Sequence, residues 1–528
     1  MRKAATLFGL AAASLALAGL LSCSRHSSGD AATGPAAQPA GPAIKVRPAQ
    51  FAGPGMFYPG DAAELRRTVD DLLKGAKTAD LKGDLLALMA PHAGYKYCGH
   101  VGASAYAALK GRKYDTVIIL GPSHGAEVQG GALSGAEAWE TPLGQVRLDR
   151  DLCKALEGEG GLHVDDDAHA HEHCIEVQLP FLQTVLGDFA LVPIIMSDFS
   201  QQTCTGIAQV LAATIEANKD KRVLLVASSD MSHYPSHSLA ATVDKETLAA
   251  IQTLDPQKVL ENEERVLLQY PRTVECALCG LGPVATVMAA AKALGADSVT
   301  VIEYQNSGDV EEGTRNRSVG YGAVALCRTG TGVRPTAPAN PTEQAVGELN
   351  PTQQRKLLKL ARDSLQKFLT TGHILAIEGT EERLLQPQGC FVTLKREGQL
   401  RGCIGHYGAD RPLADNVQEM ALAAAVQDPR FQPVAPDELD KISIEISVLS
   451  PLRKVHSPDE VQVGKHGVIV RQGDQQGVFL PQVATEMGWD RETFLTRLCS
   501  EKAGLPPDAW KHGASLWVFT AQVFSEKE

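Results

Sequence analysis

Short apolar segments that end in clusters of small and polar residues constrain the fold of this chain more than any other feature. Five of them have the length and content of buried strands, at 85–90, 116–120, 191–196, 223–227 and 299–304. Helical patterns alternate with these segments, among them 102–109, 202–217 and 281–294. This alternation predicts an α/β domain with a mostly parallel sheet flanked by helices.

The composition is that of a globular protein with more than one domain. The chain has 528 residues, of which 44% are hydrophobic and 21% charged. These values exclude a polytopic membrane protein, a collagen-like chain and a largely disordered one. Lys and Arg number 50 against 62 Asp and Glu, which gives a net charge of −12. A broad basic surface is therefore not expected, and neither is nucleic acid as a partner.

The start of the chain has the features of a secretory signal. Arg2 and Lys3 precede an apolar run at 4–21, so residues 1–22 are predicted to be a signal peptide. The run ends in LLSC, which resembles a bacterial lipobox with Cys23 as the lipidated residue. We expect a lipoprotein anchored in the bacterial cell envelope and facing outside the cytoplasm. An uncleaved transmembrane anchor and plain secretion are the alternatives.

Two stretches rich in Ala, Gly, Pro, Ser and Thr divide the rest of the chain. Residues 23–52 are predicted to be a flexible tether and residues 329–350 a linker. Neither stretch has the apolar bulk that offsets the entropy of ordering a chain. The predicted domains are then 53–328 and 351–528, each with a core of its own.

Histidines lie within a few residues of the ends of two predicted strands. His92 follows the first strand, and His124 follows the second, 32 residues later. Because ligands bind at the carboxyl ends of strands in open α/β sheets, we expect both imidazoles at one edge, from neighbouring parallel strands. Asp230 and His233 follow the fourth strand. Two imidazoles with one thiolate or carboxylate leave open positions on a metal, as a catalytic centre requires.

The cysteines beyond Cys23 are scattered among strand and helix patterns, so most are predicted to be buried thiols. Cys276 and Cys279 form a CxxC pair, which fits a redox pair, half of a zinc site or a helix start with one useful sulfur. Cys279 begins a helical pattern whose positive end would favour the thiolate. A thiol oxidoreductase is the least favoured function because the expected thioredoxin-like setting is missing from the sequence.

Five motifs occur in order along the first domain. They are APHAGYKYCG (90–99), GPSHG (121–125), EHCIEVQLPF (172–181), SSDMSHY (228–234) and LCGLGPV (278–284). They resemble the successive motifs of the Memo family over residues 53–328. The resemblance implies a fold similar to that of the LigB class of extradiol aromatic-ring dioxygenases.

The resemblance also assigns roles to single residues. It makes His92, His124 and Cys279 the ligands of one metal ion, where those dioxygenases use two His and a Glu. His233 takes the position of the dioxygenase acid/base histidine. Asp230 would orient the neighbourhood of His233.

Other residues in or near these motifs are expected either to line the pocket or to lie in solvent. Tyr95, His173 and Glu176 lie within the matched motifs and are expected to line or support the pocket. His169 and His171 lie outside the matched pattern, in a His-rich tract, and are predicted to be solvated loop residues.

Two imidazoles and a thiolate favour iron, copper or zinc over magnesium or calcium, and iron is the first expectation. If a carboxylate takes the place of the thiolate, Glu172, Glu275 and Asp230 are the candidates. The implied activity is that of a non-heme metal-dependent dioxygenase or oxidoreductase. The alternative is a non-catalytic module that binds metal or a peptide.

The second domain mixes helices and strands along its sequence. A helix from 352 is followed by strands at 389–394 and 399–405, a helix at 412–426, a strand at 442–449, a hairpin at 467–480 and a helix at 491–503. This order predicts a smaller α+β domain.

Motifs in this domain are LRGCIGHY (400–407), QDPRFQPV (427–434), ISIEISVLSPL (442–452) and a block at 477–505. They resemble the AMMECR1 family over nearly all of residues 350–525. Arg401 could bind an anion and Cys403 could act as a nucleophile. A core thiol on a strand is the favoured alternative for Cys403.

A Memo-like unit followed by an AMMECR1-like unit resembles two components of the AmmeMemoRadiSam systems, in which a radical-SAM protein is the third. The resemblance implies a functional link to a radical-SAM protein. Fusion implies that the two domains act in one process, on a small-molecule or peptide ligand.

Overall fold

Parallel strands form the centre of the first domain, so several strands end at the same edge of its sheet. The computed structural model describes residues 44–330, 347–377, 379–473 and 475–526. The predicted signal peptide, Cys23 and most of the predicted tether and linker lie outside the described residues.

The strands of the first domain are β1 (Val46–Arg47), β2 (Asp84–Ala90), β3 (Thr116–Pro122), β4 (Gly131–Leu133), β5 (Ala138–Thr141), β6 (Gly144–Arg147), β7 (Leu162–Val164), β8 (Ala190–Met196), β9 (Val223–Ser228), β10 (Ser298–Asn306) and β11 (Gly320–Arg328). Its helices are α1 (Ala62–Gly75), α2 (Tyr95–Ala107), α3 (Arg150–Leu156), α4 (Asp166–Ala170), α5 (Leu179–Leu186), α6 (Gln201–Ala217), α7 (His237–Gln252), α8 (Pro256–Gln269), α9 (Leu281–Ala293) and α10 (Ser307–Val310). The five strands predicted from the sequence are present as β2, β3, β8, β9 and β10.

One mixed sheet organises this domain, with the strand order β10-β11-β2-β9-β3-β8-β4-β7. β2, β9, β3 and β8 run parallel to one another at its centre. Ala90 at the end of β2 pairs with Ser228 at the end of β9. Leu120 near the end of β3 pairs with Ala227 of β9. The residues that follow these three strands therefore meet at one edge of the sheet.

The prediction that His92 and His124 follow neighbouring strands is wrong. β9 lies between β2 and β3. A spacing of 32 residues fits one strand–helix–strand unit, but it does not tell whether a later strand inserts between the two. The insertion places the polar segment after β9 between the two histidines.

Helices cover both faces of the sheet. α1, α2 and α5 bury one face, and α6 and α9 bury the other. All seven residues of β3 are buried, which explains the apolar run at 117–120. Burial of each aliphatic side chain stabilises the fold by about 1.5–3 kcal/mol.

The folded part of the chain begins before residue 53, which corrects the expected end of the tether at 52. β1 pairs with β5 in parallel. The guanidinium of Arg47 in β1 is buried and forms an ion pair with Glu176 at 2.6 Å. A polar pair thus anchors a segment whose composition lacks apolar bulk.

The described residues of the second domain form two antiparallel sheets. Its strands are β12 (Cys390–Arg396), β13 (Gln399–His406), β14 (Ile442–Leu449), β15 (Arg453–Val455), β16 (Gly467–Gln472), β17 (Gln475–Phe479), β18 (Ser515–Phe519) and β19 (Ala521–Ser525). Its helices are α11 (Pro351–Thr371), α12 (Glu382–Leu385), α13 (Leu413–Val426), α14 (Pro481–Glu486) and α15 (Arg491–Arg497). The sheet orders are β13-β12-β14-β19 and β15-β18-β16-β17. Antiparallel sheets with helices packed on them agree with the predicted α+β class.

The two domains pack together through α8. Leu268 of α8 is 1% exposed and packs against Ile469 and Trp517 of the second domain. Nearby, Glu264 forms an ion pair with Lys454 at 2.8 Å. The described residues from Ile44 onward accordingly form one compact unit. No helix in the described part of the chain combines the length and the apolar composition that crossing a membrane requires.

Candidate metal centre

His92 follows β2 and is held by the segment that follows β9. It is 1% exposed, and its backbone N–H donates to Asp230 Oδ1 at 2.8 Å. Its Nδ1 lies 3.1 Å from Ser228 Oγ. The Ser228 hydroxyl donates its single proton to Cys174 O at 2.6 Å, so the His92 Nδ1–H must be the donor to Ser228. The Nε2 of His92 then carries a free lone pair, as a metal ligand needs.

His124 follows β3 and is oriented by a buried carboxylate. Its Nδ1 lies 3.0 and 3.1 Å from the two oxygens of Glu172, and its backbone N–H donates to the same carboxylate at 2.8 Å. Because an ionised carboxylate only accepts, the proton of His124 is on Nδ1 and its Nε2 is free to bind a metal.

Glu172 remains ionised despite its burial. Burial raises the pKa of this carboxyl, but the hydrogen bonds from His124 and from the backbone N–H of Cys174 outweigh burial and bring the pKa well below its usual value. Burial lowers the pKa of His124, and Glu172 more than offsets this, so the pKa of His124 lies above its usual value of 6.5.

Cys279 brings its sulfur to both imidazoles from the turn before α9. Its Sγ lies 3.3 Å from His124 Nε2 and 3.6 Å from His92 Nε2. The next residue, Gly280, donates its N–H to Ser229 Oγ at 2.8 Å. A Cβ at position 280 would lie 2.6 Å from Ser228 O, so glycine is required at this close approach of the turn to the end of β9.

The thiol of Cys279 is not activated in the way the sequence suggested. We expected the N-terminus of the following helix to favour the thiolate. Burial instead raises the pKa of Cys279 well above its usual value, and the nearby charge of Asp230 raises it further. A bound metal ion would instead lower the pKa of Cys279, because metal coordination deprotonates a thiol.

His173 joins the cluster more closely than the sequence indicated. One ring nitrogen of His173 lies within 4.8 Å of one ring nitrogen each of His92 and His124, and its ring stacks on His124 with the centroids 4.6 Å apart. Burial lowers the pKa of His173 to about 3, and the charge of His92 contributes to this shift. A neutral imidazole beside the pair makes His173 a second candidate for the third ligand, which we expected only to line the pocket.

Asp230 and His233 lie beside the cluster, at the end of β9. Asp230 Oδ2 is 4.0 Å from His92 Nε2 and 4.0 Å from His233 Nε2. The Nε2 of His233 is buried and has no hydrogen-bond partner among the described residues. Burial lowers the pKa of His233. A neutral imidazole with an unpaired nitrogen can accept a proton from a bound ligand.

Tyr95 and Glu176 face away from the donor atoms. The hydroxyl of Tyr95 donates to Val177 O at 2.7 Å, so it belongs to the packed wall behind the site. The carboxylate of Glu176 accepts from Arg47 at 2.6 Å and from the Tyr58 hydroxyl at 2.7 Å. Glu176 therefore fixes the segment that precedes α1 and does not present an oxygen to the cluster.

The two remaining histidines of the tract differ from each other. His171 is exposed, as expected. The prediction that His169 is solvated is wrong, because it is 1% exposed in α4 and packs edge-on against Trp139. A run of polar residues gave no sign that a helical turn would bury one of them.

In the described part of the second domain, Arg401 is not free to bind the predicted anion. Arg401 is paired with Glu438 by contacts of 2.9 and 3.1 Å, so its guanidinium is already occupied. Cys403 lies on β13, and Thr393 Oγ1 donates to its sulfur at 3.1 Å. Burial raises the pKa of Cys403, which disfavours the nucleophile and agrees with the strand thiol.

The first domain is thus an α/β protein with three imidazoles and a thiol converging at the carboxyl edge of its parallel strands, a donor set that could hold a metal ion. A family model described as Memo-like protein matches residues 47–325, and one described as AMMECR1 matches residues 358–524. The chain therefore belongs to the Memo-like protein family and carries an AMMECR1 domain after the Memo-like domain.

Relatives match one domain or the other. A MEMO1 family protein of Methanopyrus kandleri is 37% identical over 285 residues, which cover 52% of this chain and 97% of its own. A protein of Methanosarcina barkeri is 43% identical over 199 residues, which cover 34% of this chain and 93% of its own. The crystal structure of an uncharacterized protein of Pyrococcus horikoshii shares 39% identity and covers 33% of this chain and 90% of its own, with a TM-score of 0.32.

Proposed function

We propose that this chain is a metal-dependent redox enzyme whose Memo-like domain has a LigB-like fold and holds one metal ion, iron first and copper or zinc as alternatives. His92 and His124 would be two of the ligands, and Cys279 the third. His173 is the other candidate for the third position. The proposal rests on the position of Cys279 Sγ, which lies 3.3 Å from His124 Nε2 and 3.6 Å from His92 Nε2. The Nδ1 atom of each of these rings is already hydrogen-bonded within the protein.

The surrounding hydrogen bonds support this proposal. Ser228 and Glu172 orient the two rings before any metal arrives, so binding would need little rearrangement. A thiol beside two imidazoles suits iron, copper and zinc better than magnesium or calcium. A metal ion bound there supplies Lewis acidity and, if it is iron or copper, one-electron redox chemistry.

The residues of this chain would handle the proton of the substrate. Asp230 Oδ2 lies 4.0 Å from His233 Nε2, close enough to favour the charged imidazole by electrostatic attraction once it has taken up a proton. We assign His233 as the base that receives a proton from a catechol-like hydroxyl, and Asp230 as the group that orients and stabilises it.

Oxygen uptake by the iron-loaded full chain with a panel of catechols tests the enzyme. We expect uptake in the wild type and its loss in His233→Ala with metal content unchanged. His171→Ala is the matched control, because His171 is an exposed histidine of the same domain. A wild type that retains metal but consumes no oxygen with any catechol would contradict the enzyme and favour a non-catalytic metal- or peptide-binding module.

We also propose that the chain acts in the bacterial cell envelope, anchored through lipid on Cys23, and in functional linkage with a radical-SAM protein. The support for the location is the signal-like sequence of residues 1–23. Replacing Cys23 by Ala should release the protein from membranes or block signal cleavage. Normal processing with unchanged membrane association would contradict the lipid anchor.

A further inference from the structure

A cleft of about 730 Å³ borders the candidate metal centre, and both domains form its walls. The first domain contributes α8 and the turn that carries Cys276 and Cys279. The second domain contributes Arg471 of β16 and Ser515 of β18. The volume lies in the range of small-molecule sites, and Cys279 connects the cleft to the cluster of donor atoms.

We propose that this cleft is the substrate-binding site of the metal centre, and that it takes a small molecule with an apolar body and a positively charged nitrogen. The proposal extends the metal-dependent function above, although the ligand chemistry it names follows from the cleft alone. The second domain then has a direct role, because it forms one wall of the site.

The apolar part of the cleft is suited to a ligand body. Leu260 and Leu267 of α8 face it, together with Leu281 and Pro283 at the start of α9. Phe199 lines the same cleft and is 58% exposed. Burial of such a ring by a ligand removes apolar surface from water and stabilises the complex.

Acidic side chains outnumber basic ones in the lining of the cleft. Glu263 lines it, is 7% exposed, and its oxygens accept the N–H of Ala277 at 3.1 and 3.2 Å. A buried carboxylate bonded to a neutral donor is costly unless a cation approaches it. Burial raises the pKa of Glu263 to about 7. Glu275 and Asp198 add acidic groups to the lining.

The wall formed by the second domain carries a positive charge. Arg471 lines the cleft from the second domain, and its Nε donates to Gly473 O at 3.3 Å. Arg471 should therefore oppose a cationic ligand, whereas Glu263 should favour it. Removing the charge of Glu263, in the first domain, and that of Arg471, in the second, should therefore change the affinity for a cationic ligand in opposite directions.

Calorimetric titration of the full chain with phenylbutylamine, phenylbutanol and phenylbutyrate tests the proposal. We expect the affinity to fall in that order. Glu263→Gln should weaken amine binding about tenfold or more, because a bound ammonium favours the ionised form of Glu263 and a glutamine cannot ionise. Arg471→Gln should strengthen amine binding by about two- to fivefold, the scale of a partly exposed charge. The alcohol should bind both variants as it binds the wild type.

Two exposed residues outside the cleft serve as matched controls. Glu216→Gln and Arg147→Gln make the same changes of net charge at exposed positions and should leave amine binding unchanged. If Glu263→Gln does not fold, Glu275→Gln takes its place, with an expected loss of about two- to fivefold. Equal binding of the three probes, or equal effects of the cleft and control variants, would overturn the proposal.

Metal content, measured on the same samples, separates this proposal from the proposed function. Glu263→Gln and Arg471→Gln should retain the metal of the wild type. Metal binding without selective amine binding would overturn the cleft and leave the metal centre in place. Selective amine binding in a chain that holds no metal would overturn the metal centre and leave the cleft.

Discussion

At the scale of single residues, the candidate centre depends on the partners of its histidines. His92 donates to Ser228 and His124 donates to Glu172, and both bonds leave the opposite ring nitrogen free. The sequence indicated the histidines because each lies within a few residues of the end of an apolar strand. It did not indicate Glu172 as the orienting carboxylate, because that contact joins residues 48 positions apart.

Glu172→Gln should weaken metal binding about 10- to 100-fold, because it removes the carboxylate that orients His124. In the wild type, metal must displace a proton from His124, whose pKa is raised, so affinity falls as the pH drops through that value. Without the carboxylate, only the smaller effect of the Asp230 charge opposes burial, and the pKa of His124 falls. The decline in affinity should therefore move to lower pH.

Competition titrations at several pH values check this, with Glu216→Gln as an exposed control. An affinity and a pH profile equal to those of the wild type in Glu172→Gln would contradict the assigned role of the carboxylate.

At the scale of elements, the turn before α9 brings the thiol to the sheet edge. Gly280 lies where the turn meets the end of β9, and its N–H donates to Ser229 Oγ at 2.8 Å. The apolar segments and helical periods predicted β2, β3, β9 and α9 because those signals are local. The insertion of β9 between β2 and β3 is a long-range pairing, which local patterns do not contain.

Gly280→Ala should destabilise the fold by about 1–3 kcal/mol, because its new Cβ would lie 2.6 Å from Ser228 O and 2.8 Å from Ser229 Cβ. It should also weaken metal binding by displacing Cys279. Gly206→Ala is the matched control, since a Cβ there meets no atom within 4 Å. In α6 this control should be neutral or stabilising by up to about 1 kcal/mol. Equal melting temperatures for the two variants would show that the turn tolerates a side chain.

At the scale of the whole molecule, the two domains pack against each other through buried apolar side chains. Composition predicts a boundary near 329–350, and the order of elements predicts two domains that combine helices and sheets, as the structure shows. The packing of Leu268 against Trp517 could not be predicted, because an apolar residue on a helix pattern does not reveal which domain covers it. Arg401 was misjudged for a similar reason, since its partner Glu438 is 37 residues away.

The most direct test of the proposed metal centre is the metal content of the full chain and of its single variants, measured by mass spectrometry after equilibration with iron. We predict one ion per chain in the wild type and in His171→Ala, with large losses in His92→Ala and His124→Ala. Loss in Cys279→Ala with retention in His173→Ala would identify the thiolate as the third ligand, and the reverse would identify the imidazole. Full metal content in His92→Ala and His124→Ala would contradict the metal centre.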